Sequence, residues 1–392
     1  MVTDQGGRTS YAARICREMK IPAVIGTRCG SLAIPDGTDI TLDCSHSEIA
    51  EVLGGQIGFR KTVVSLAEIS QTHTLQMLTV RHPGQHGLWQ ALPSQGIGMV
   101  SVESIICEDI GIHPMALLQF DDITDPDIRR DINRITGESD DMKAFFVDRL
   151  CEGITRMAVS CYPAPITLRL SDFSNTDPSS LVGFGLYESH TDESRGSRHY
   201  LGSTYAPAFA WECEAIRKAR MAMGFENIHI AVPGCRTPDE AALILQKLEE
   251  NDLGKGGHGL QISLVAGLAG NALMACEFAE IFDSIHLDLD ALTQNVLGYG
   301  DGWRKQGAGS CSCDFALMAA VSSIVKGALI SGKRVTVFGL REDSPENLME
   351  FLVLSGVHAF AHEPENFAPL VRKTRSAEDK ALSHHALNPN RT

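Results

Sequence analysis

"LQISLVAGLAGNALMACEFAEIFDSIHLDLD", residues 260–290, holds two short aliphatic runs with a helical pattern between them. "LQISLVAG" (260–267) and "SIHLDLD" (284–290) read as strands, and "NALMACEFAEIF" reads as the helix that joins them. Two parallel strands need such a crossover, so the segment is one strand–helix–strand unit. Working outward, the same alternation recurs at "TLQMLTV" (74–80), "GIGMVSVE" (96–103), "PITLRLSD" (165–172), "NIHIAVPG" (227–234), "RVTVFGL" (334–340) and "HAFAHEP" (358–364). "PDEAALILQKLEEN" and "FALMAAVSSIVKGALISG" supply further helices. Eight strands with helical crossovers predict an α/β fold closed as a (β/α)8 TIM barrel, with an open doubly wound sheet as the alternative. The long helical gap between the second and third strands ("DPDIRRDINRITG", "DDMKAFFVDRLCEGITRMAVSC") predicts an inserted excursion.

The barrel pattern accounts for residues 70–372. Residues 1–58 form a smaller α/β unit, with a helix over Tyr11–Met19, a short buried strand in "IPAVIG" and a turn and strand in "DGTDITLDC". That is too little chain to bury a full core alone. Residues 373–392 are polar and read as a flexible tail. The chain is 43% hydrophobic and 21% charged, as globular proteins are, and its net charge of −15 argues against a nucleic-acid partner. No run approaches the ~18 apolar residues of a membrane span, and the N-terminus has no basic start followed by an apolar core. The 11 cysteines are scattered, which fits a soluble cytoplasmic protein in a reducing compartment. Cys311 and Cys313 form a C-x-C pair with no second pair or histidine cluster at zinc-like spacing.

In such a barrel, function sits at the C-terminal ends of the strands. That singles out Ser101, Glu103, Arg169, Asp172, Gly234, Gly267, Asp290 and Phe338. Alternation along the sixth strand turns His286, Asp288 and Asp290 to one side and Ile285, Leu287 and Leu289 to the other. The leucine side meets the helices, so the polar side faces the lumen. A histidine and two carboxylates there suit a metal or acid–base site, or a satisfied polar network around Arg169. "GGRT" ahead of Tyr11 is a glycine turn leading into a helix, which suits an anion, although glycine pairs also mark ordinary turns.

The segments "GGRTSYAA", "IPAVIG", "GIGMVSVESIICEDIGIHPMALLQFDD", "YPAPITLRLSDF", "ECEAIRKARMAMGFENIHIAVPGCRTPDEA", "NALMACEFAEIFD" and "ALTQNVLG" span nearly the whole chain. In this order they resemble the C-terminal half of the phosphoenolpyruvate synthase (pyruvate, water dikinase) and pyruvate phosphate dikinase family. The resemblance implies a truncated phosphohistidine swivel domain followed by a barrel that binds phosphoenolpyruvate (PEP) or pyruvate. It also implies Mg2+, a homodimer and an ATP-binding domain ahead of these two, for which a start at Met1 within the swivel domain is expected to leave no room.

Residue by residue, the chain departs from that pattern. Tyr11 stands at the phosphohistidine of G-G-R-T-x-H, and a phenol with pKa ~10 replaces an imidazole that is nucleophilic near neutrality. Ser101 replaces the phosphate-gripping arginine of the second strand, while Glu103 is kept. Gly267 and Ala291 stand at the two metal-ligand carboxylates, with Asp290 one place earlier, and Phe338 stands at the proton-donating cysteine. Arg169 and Arg195 remain, either as a site for a small carboxylate or phosphate or as structural ion pairs with Asp172 or Glu188. Enolpyruvyl chemistry needs a bridging divalent ion and a positioned acid, so these replacements together predict loss of the family reaction. Three readings follow. The chain is a pseudoenzyme or accessory subunit binding a pyruvate- or PEP-like anion, an enzyme with a rebuilt site, or part of a split system with a separate ATP-binding subunit.

Overall fold

The computed structural model describes residues 1–7, 10, 12–13, 16, 21–44, 50–59, 71–80, 90–173, 181–188, 197–299 and 314–387. Near the N-terminus, β1 (Val2–Thr3) pairs in parallel with β2 (Val24–Ile25), and β3 (Ile40–Asp43) pairs antiparallel with β4 (Glu51–Gly54). The helix expected over Tyr11–Met19 lies largely outside the described residues.

All eight strands expected of the barrel are present. They are β5 (Leu75–Val80), β6 (Ile97–Ser101), β7 (Ile166–Arg169), β8 (Ile228–Val232), β9 (Ile262–Ala266), β10 (Ser284–Asp288), β11 (Arg334–Phe338) and β12 (Ala359–His362). Each pairs in parallel with the next, and β12 pairs back onto β5 through Ala359 and Leu75, so the ring closes and no edge is left. Closure excludes the open doubly wound sheet. It also explains the sequence texture, because parallel strands covered on both faces become near-continuous apolar runs. β9, "ISLVA", is buried at every residue.

Alternation within each strand divides the apolar residues into two populations. Leu78, Val80, Val100, Leu168, Ile230, Val232, Leu264, Ile285, Leu287, Val337 and Phe360 belong to one large core between strands and helices. Met77, Ala359 and Ala361 form a small cluster in the lumen, and Met99, Ala231 and Val265 form another. Phe338 packs against both.

Between β6 and β7 the expected excursion is helical at Pro126–Thr136 and Met142–Cys161, capped by Asp125 and Asp141. Thr237 caps the helix Pro238–Glu250 by accepting from the Glu240 N–H, with proline in the first turn as helix starts favour. One helix expected as continuous is two: Ala269–Leu273 and Ala275–Ile281, broken at Met274. The break follows from close packing on the helix Phe315–Ile330. A Cβ at Gly327 would sit 2.7 Å from the Ala275 Cβ, and Ser323 donates to the Ala272 carbonyl.

A second difference concerns the C-terminus. Residues expected as a flexible tail from 373 onward continue the helix Phe367–Leu387, in which Thr374, Ala377 and Glu378 are buried. Glu378 accepts hydrogen bonds from the backbone N–H groups of His73 (3.0 Å) and Thr74 (2.8 Å), which pins the entry to β5. Polar composition misled here because the helix is charged on one face and anchored on the other. Replacing Glu378 with alanine leaves two donors unpaired, so the urea midpoint should fall by an amount equivalent to about 2–4 kcal/mol. An unchanged midpoint would show that the helix end does not brace the barrel.

Candidate binding site at the barrel mouth

The C-terminal end of the barrel is organised around Arg169, the last residue of β7. Its Nη2 donates to both carboxylate oxygens of Asp172, at 3.0 and 2.9 Å, and its Nη1 donates to Glu103 Oε1 at 3.4 Å. Glu103 sits two residues past the end of β6, in the helix Val102–Ile105, so strand order brings together residues 66 positions apart. The same Glu103 oxygen accepts the backbone N–H groups of Asp172 (2.5 Å) and Phe173 (2.7 Å). The carboxyl thereby fixes the loop leaving β7 as well as the guanidinium.

Burial pushes the Glu103 carboxyl up to about 8, with Asp172 adding to the shift and Arg169 opposing it. Burial works against the charge of Arg169, but Asp172 and Glu103 outweigh it and hold its proton above the ordinary arginine range. Asp288 also acts on Arg169 from β10.

Around this cluster the other candidate positions are occupied as follows. Ser101 lies opposite Arg169 in the β6–β7 register, and its hydroxyl is buried without a hydrogen-bond partner among the described residues. Phe338, at the end of β11, fills part of the lumen. Gly267 follows β9, where a Cβ would sit 2.8 Å from the Cβ of Ala291. The Gly267 carbonyl accepts from Asn295 and its N–H donates to Asn271 Oδ1 (3.2 Å), so the two chain segments are drawn tightly together. Tyr11, Arg195, Cys311 and Cys313 lie outside the described residues.

The sixth strand requires a correction. His286 and Asp288 do alternate with the core residues Ile285 and Leu287, which turns them to the lumen. Strand alternation does not reach Asp290. The strand ends at Asp288, whose Oδ1 caps the helix Leu289–Leu297 by accepting from the N–H groups of Asp290 (3.1 Å) and Ala291 (3.0 Å). An aspartate followed by helix-forming residues is a helix start, and that signal overrides strand alternation. Burial and the neighbouring His229 push the His286 imidazole down to about 4, so it is neutral at pH 7.

Magnesium takes oxygen ligands in a near-octahedral shell and is held by carboxylates. Positions 267 and 291 offer none, and Asp288 already caps a helix. Among the described residues no group of three or more His, Cys, Asp or Glu is arranged to hold a metal ion. The described residues therefore do not fit the ion that the resemblance implies.

Behind the mouth lies a cluster that the sequence reading missed. His113 Nε2 is 3.3 Å from Glu188 Oε1, and His199 Nε2 is 3.8 Å from the same oxygen. Glu188, expected as an arginine partner, thus faces two histidines. Phe173, held in the left-handed region at φ 50°, packs its ring 4.8 Å from His113. Ser171 donates both its N–H and its hydroxyl to Glu212, which burial pushes up to about 7. These residues are scattered from 113 to 212, and no local pattern joins them. The "IHP" at Ile112–Pro114, a histidine just ahead of an N-terminal proline, was the one available cue.

Two family models match this chain. The PEP-utilising enzyme mobile domain covers residues 1–47, and the PEP-utilising enzyme PEP-binding domain covers residues 59–378. Phosphoenolpyruvate synthase of Synechocystis sp. is 31% identical over 387 residues, covering 97% of this chain and 47% of that relative. The Escherichia coli enzyme of the same name is 32% identical over 372 residues, covering 93% of this chain and 46% of its own. That of Neisseria meningitidis is 32% identical over 373 residues, with 93% and 46% covered. The chain spans about half the length of the curated relatives it matches.

The buried ionisable groups set opposing pH limbs. A neutral, buried His286 binds fewer protons folded than unfolded, so its contribution is lost as pH falls from 6.5 through about 4. Glu103 binds more protons folded than unfolded between 4.5 and about 8, so stability should decline as pH rises through that window, by up to ~1.4 kcal/mol per unit. Glu103→Gln keeps an acceptor for both backbone N–H groups. Chemical denaturation across pH 5–8 should show the alkaline decline flattened in this variant, and an unchanged slope would refute the assignment.

Proposed function

The chain belongs to the PEP-utilising enzyme family, and from that premise we propose that it is a degenerate member whose barrel binds a small pyruvate- or PEP-like anion without running the family's phosphoryl chemistry. The observation that carries this reading is the closure at Gly267 and Ala291. A carboxylate side chain at 267 would collide with the Ala291 Cβ at 2.8 Å, so regaining a ligand there takes a backbone shift as well as a substitution. Phe338 has no ionisable proton to give, and its ring occupies lumen space beside Met77 and Val265. Tyr11 offers a phenol, largely protonated at neutral pH, where the family places an imidazole.

Arg169 supports the binding half of the reading. It is anchored by Asp172 and Glu103, yet is 15% exposed at the end of a barrel strand, where ligands meet this fold. A guanidinium held in place by carboxylates is pre-organised for a carboxylate ligand, because little side-chain entropy remains to be lost. Binding there needs no divalent ion.

Calorimetric titration with oxalate and pyruvate, with and without Mg2+, tests this reading. Binding should be independent of Mg2+, and Arg169→Lys, which keeps the charge and loses the fork, should weaken it at least about tenfold. Binding that requires Mg2+, or an Arg169→Lys variant with wild-type affinity, would overturn the reading.

A further inference from the structure

Beyond the end of β7, successive backbone amides are taken up by carboxyl groups. The Leu170 N–H still continues the strand pairing by donating to the Ala231 carbonyl. The Ser171 N–H then donates to Glu212 Oε1 at 3.1 Å, and those of Asp172 and Phe173 donate to Glu103 Oε1. Ser171, Asp172 and Phe173 are all buried, so without these acceptors their amides would be orphaned. The two carboxyls play different parts. Glu103 touches Arg169 directly, whereas Glu212 bonds to Ser171, two residues along the chain from Arg169.

Glu212 lies on the helix Ala206–Arg217, two turns beyond Tyr205, the residue that precedes this helix. The Ser171 hydroxyl donates to Glu212 Oε2 and lies 3.4 Å from the Tyr205 hydroxyl, so carboxyl, serine and phenol form a buried chain. Tyr205 in turn packs on Phe173 and His199. Burial pushes the Glu212 carboxyl up to about 7, so both of its forms are populated near neutrality. The titratable groups acting on it are Asp172 from the segment after β7, Tyr200 from the helix Ser197–Leu201, and Tyr205 and Cys213 beside it. One proton sets the direction of hydrogen bonding along the chain. Ionised, Glu212 accepts from both the amide and the hydroxyl of Ser171, and Tyr205 can donate to the Ser171 oxygen. Protonated, Glu212 donates its acid hydrogen to the Ser171 oxygen, which turns its own hydrogen to Tyr205. The bond from the Ser171 amide is charge-assisted only in the first state and is the stronger there.

Resting on the anion-binding reading above, we propose that Glu212 is a positioning residue for Arg169, holding Ser171–Phe173 firmly when ionised and loosely once it takes a proton from solvent. Asp172 moves with that segment and accepts two hydrogen bonds from Arg169 Nη2. The grip of Glu212 on Ser171 therefore sets how sharply the guanidinium is aimed. Positioning and plain electrostatics call for opposite signs. Removing the Glu212 charge relieves repulsion of an anion and so tightens binding, whereas loosening the segment weakens it.

Titration calorimetry with oxalate at pH 6 and pH 8, on the intact wild-type chain and on Glu212→Gln, tests this together with hydrogen exchange of the Ser171 amide. Glutamine keeps an acceptor of the same size and cannot ionise. At pH 6 the two proteins should bind oxalate equally. At pH 8 Glu212→Gln should bind it about three- to tenfold more weakly, the worth of one strengthened hydrogen bond, although it carries one negative charge fewer. After correction for intrinsic exchange, the wild-type Ser171 amide should be better protected at pH 8 than at pH 6, and that gain should shrink in the variant. A variant that binds as tightly as wild type at pH 8, or more tightly, would overturn the positioning role. So would a Ser171 amide in the wild type whose protection does not rise with pH, a measurement that needs no variant. Absence of oxalate binding by the wild type would overturn the anion-binding reading, and the exchange result alone would then decide whether Glu212 holds the segment.

Discussion

Arg169 is held between Asp172 and Glu103 at the end of a strand, and the mouth of the barrel takes its shape from that clamp. The guanidinium neutralises part of a buried acidic cluster. Glu103 in turn holds two backbone amides and so fixes the first residues of the loop after β7. Breaking such a group from one side leaves a buried charge uncompensated, which costs far more than the intact cluster contributes. Phe173 carries the constraint outward, because its amide is tied to Glu103 while its ring closes the pocket of His113, His199 and Tyr205. An aromatic residue in the left-handed region persists only where its surroundings over-determine it, and here two separate clusters do so.

The rest of the mouth can be understood as a consequence. Around an arginine already balanced by carboxyl groups, the chain offers hydroxyls, small residues and a phenyl ring. On the reading proposed above, Gly267, Ala291 and Phe338 stand where the family pattern has groups that hold a metal or hand over a proton, and their side chains offer neither a carboxylate nor a thiol. A Cβ at Gly267 would lie 2.8 Å from that of Ala291, so a larger residue at 267 requires something to shift. The backbone there is packed at a spacing that excludes a side chain at position 267.

Much of this architecture was legible in the residues, and the reasons are physical. The eight barrel strands announced themselves because both of their faces are covered, which leaves short, dense apolar runs between turn signals. The inward placement of His286 and Asp288 on β10 followed from period-two alternation. That rule failed at Asp290, where helix capping by Asp288 ended the strand two residues earlier than the pattern suggested. Composition failed at the C-terminus, where one carboxylate, Glu378, reaches across 305 residues to the His73 amide and turns a polar segment into a bracket. The His113–Glu188–His199 cluster was invisible for the same reason, since its members meet only through tertiary packing. Arg169 lay in between: its pairing with Asp172 three residues away was foreseeable, and its contact with Glu103 needed the strand order.

The proposal to be tested is that this barrel uses an anchored arginine for a small anion and does not process phosphoenolpyruvate. Phosphorus NMR of phosphoenolpyruvate incubated with the purified chain and Mg2+ addresses it most directly. The account predicts that the phosphoenolpyruvate resonance persists without growth of inorganic phosphate or of a phosphorylated protein signal. Its conversion at a rate proportional to protein concentration would contradict the account.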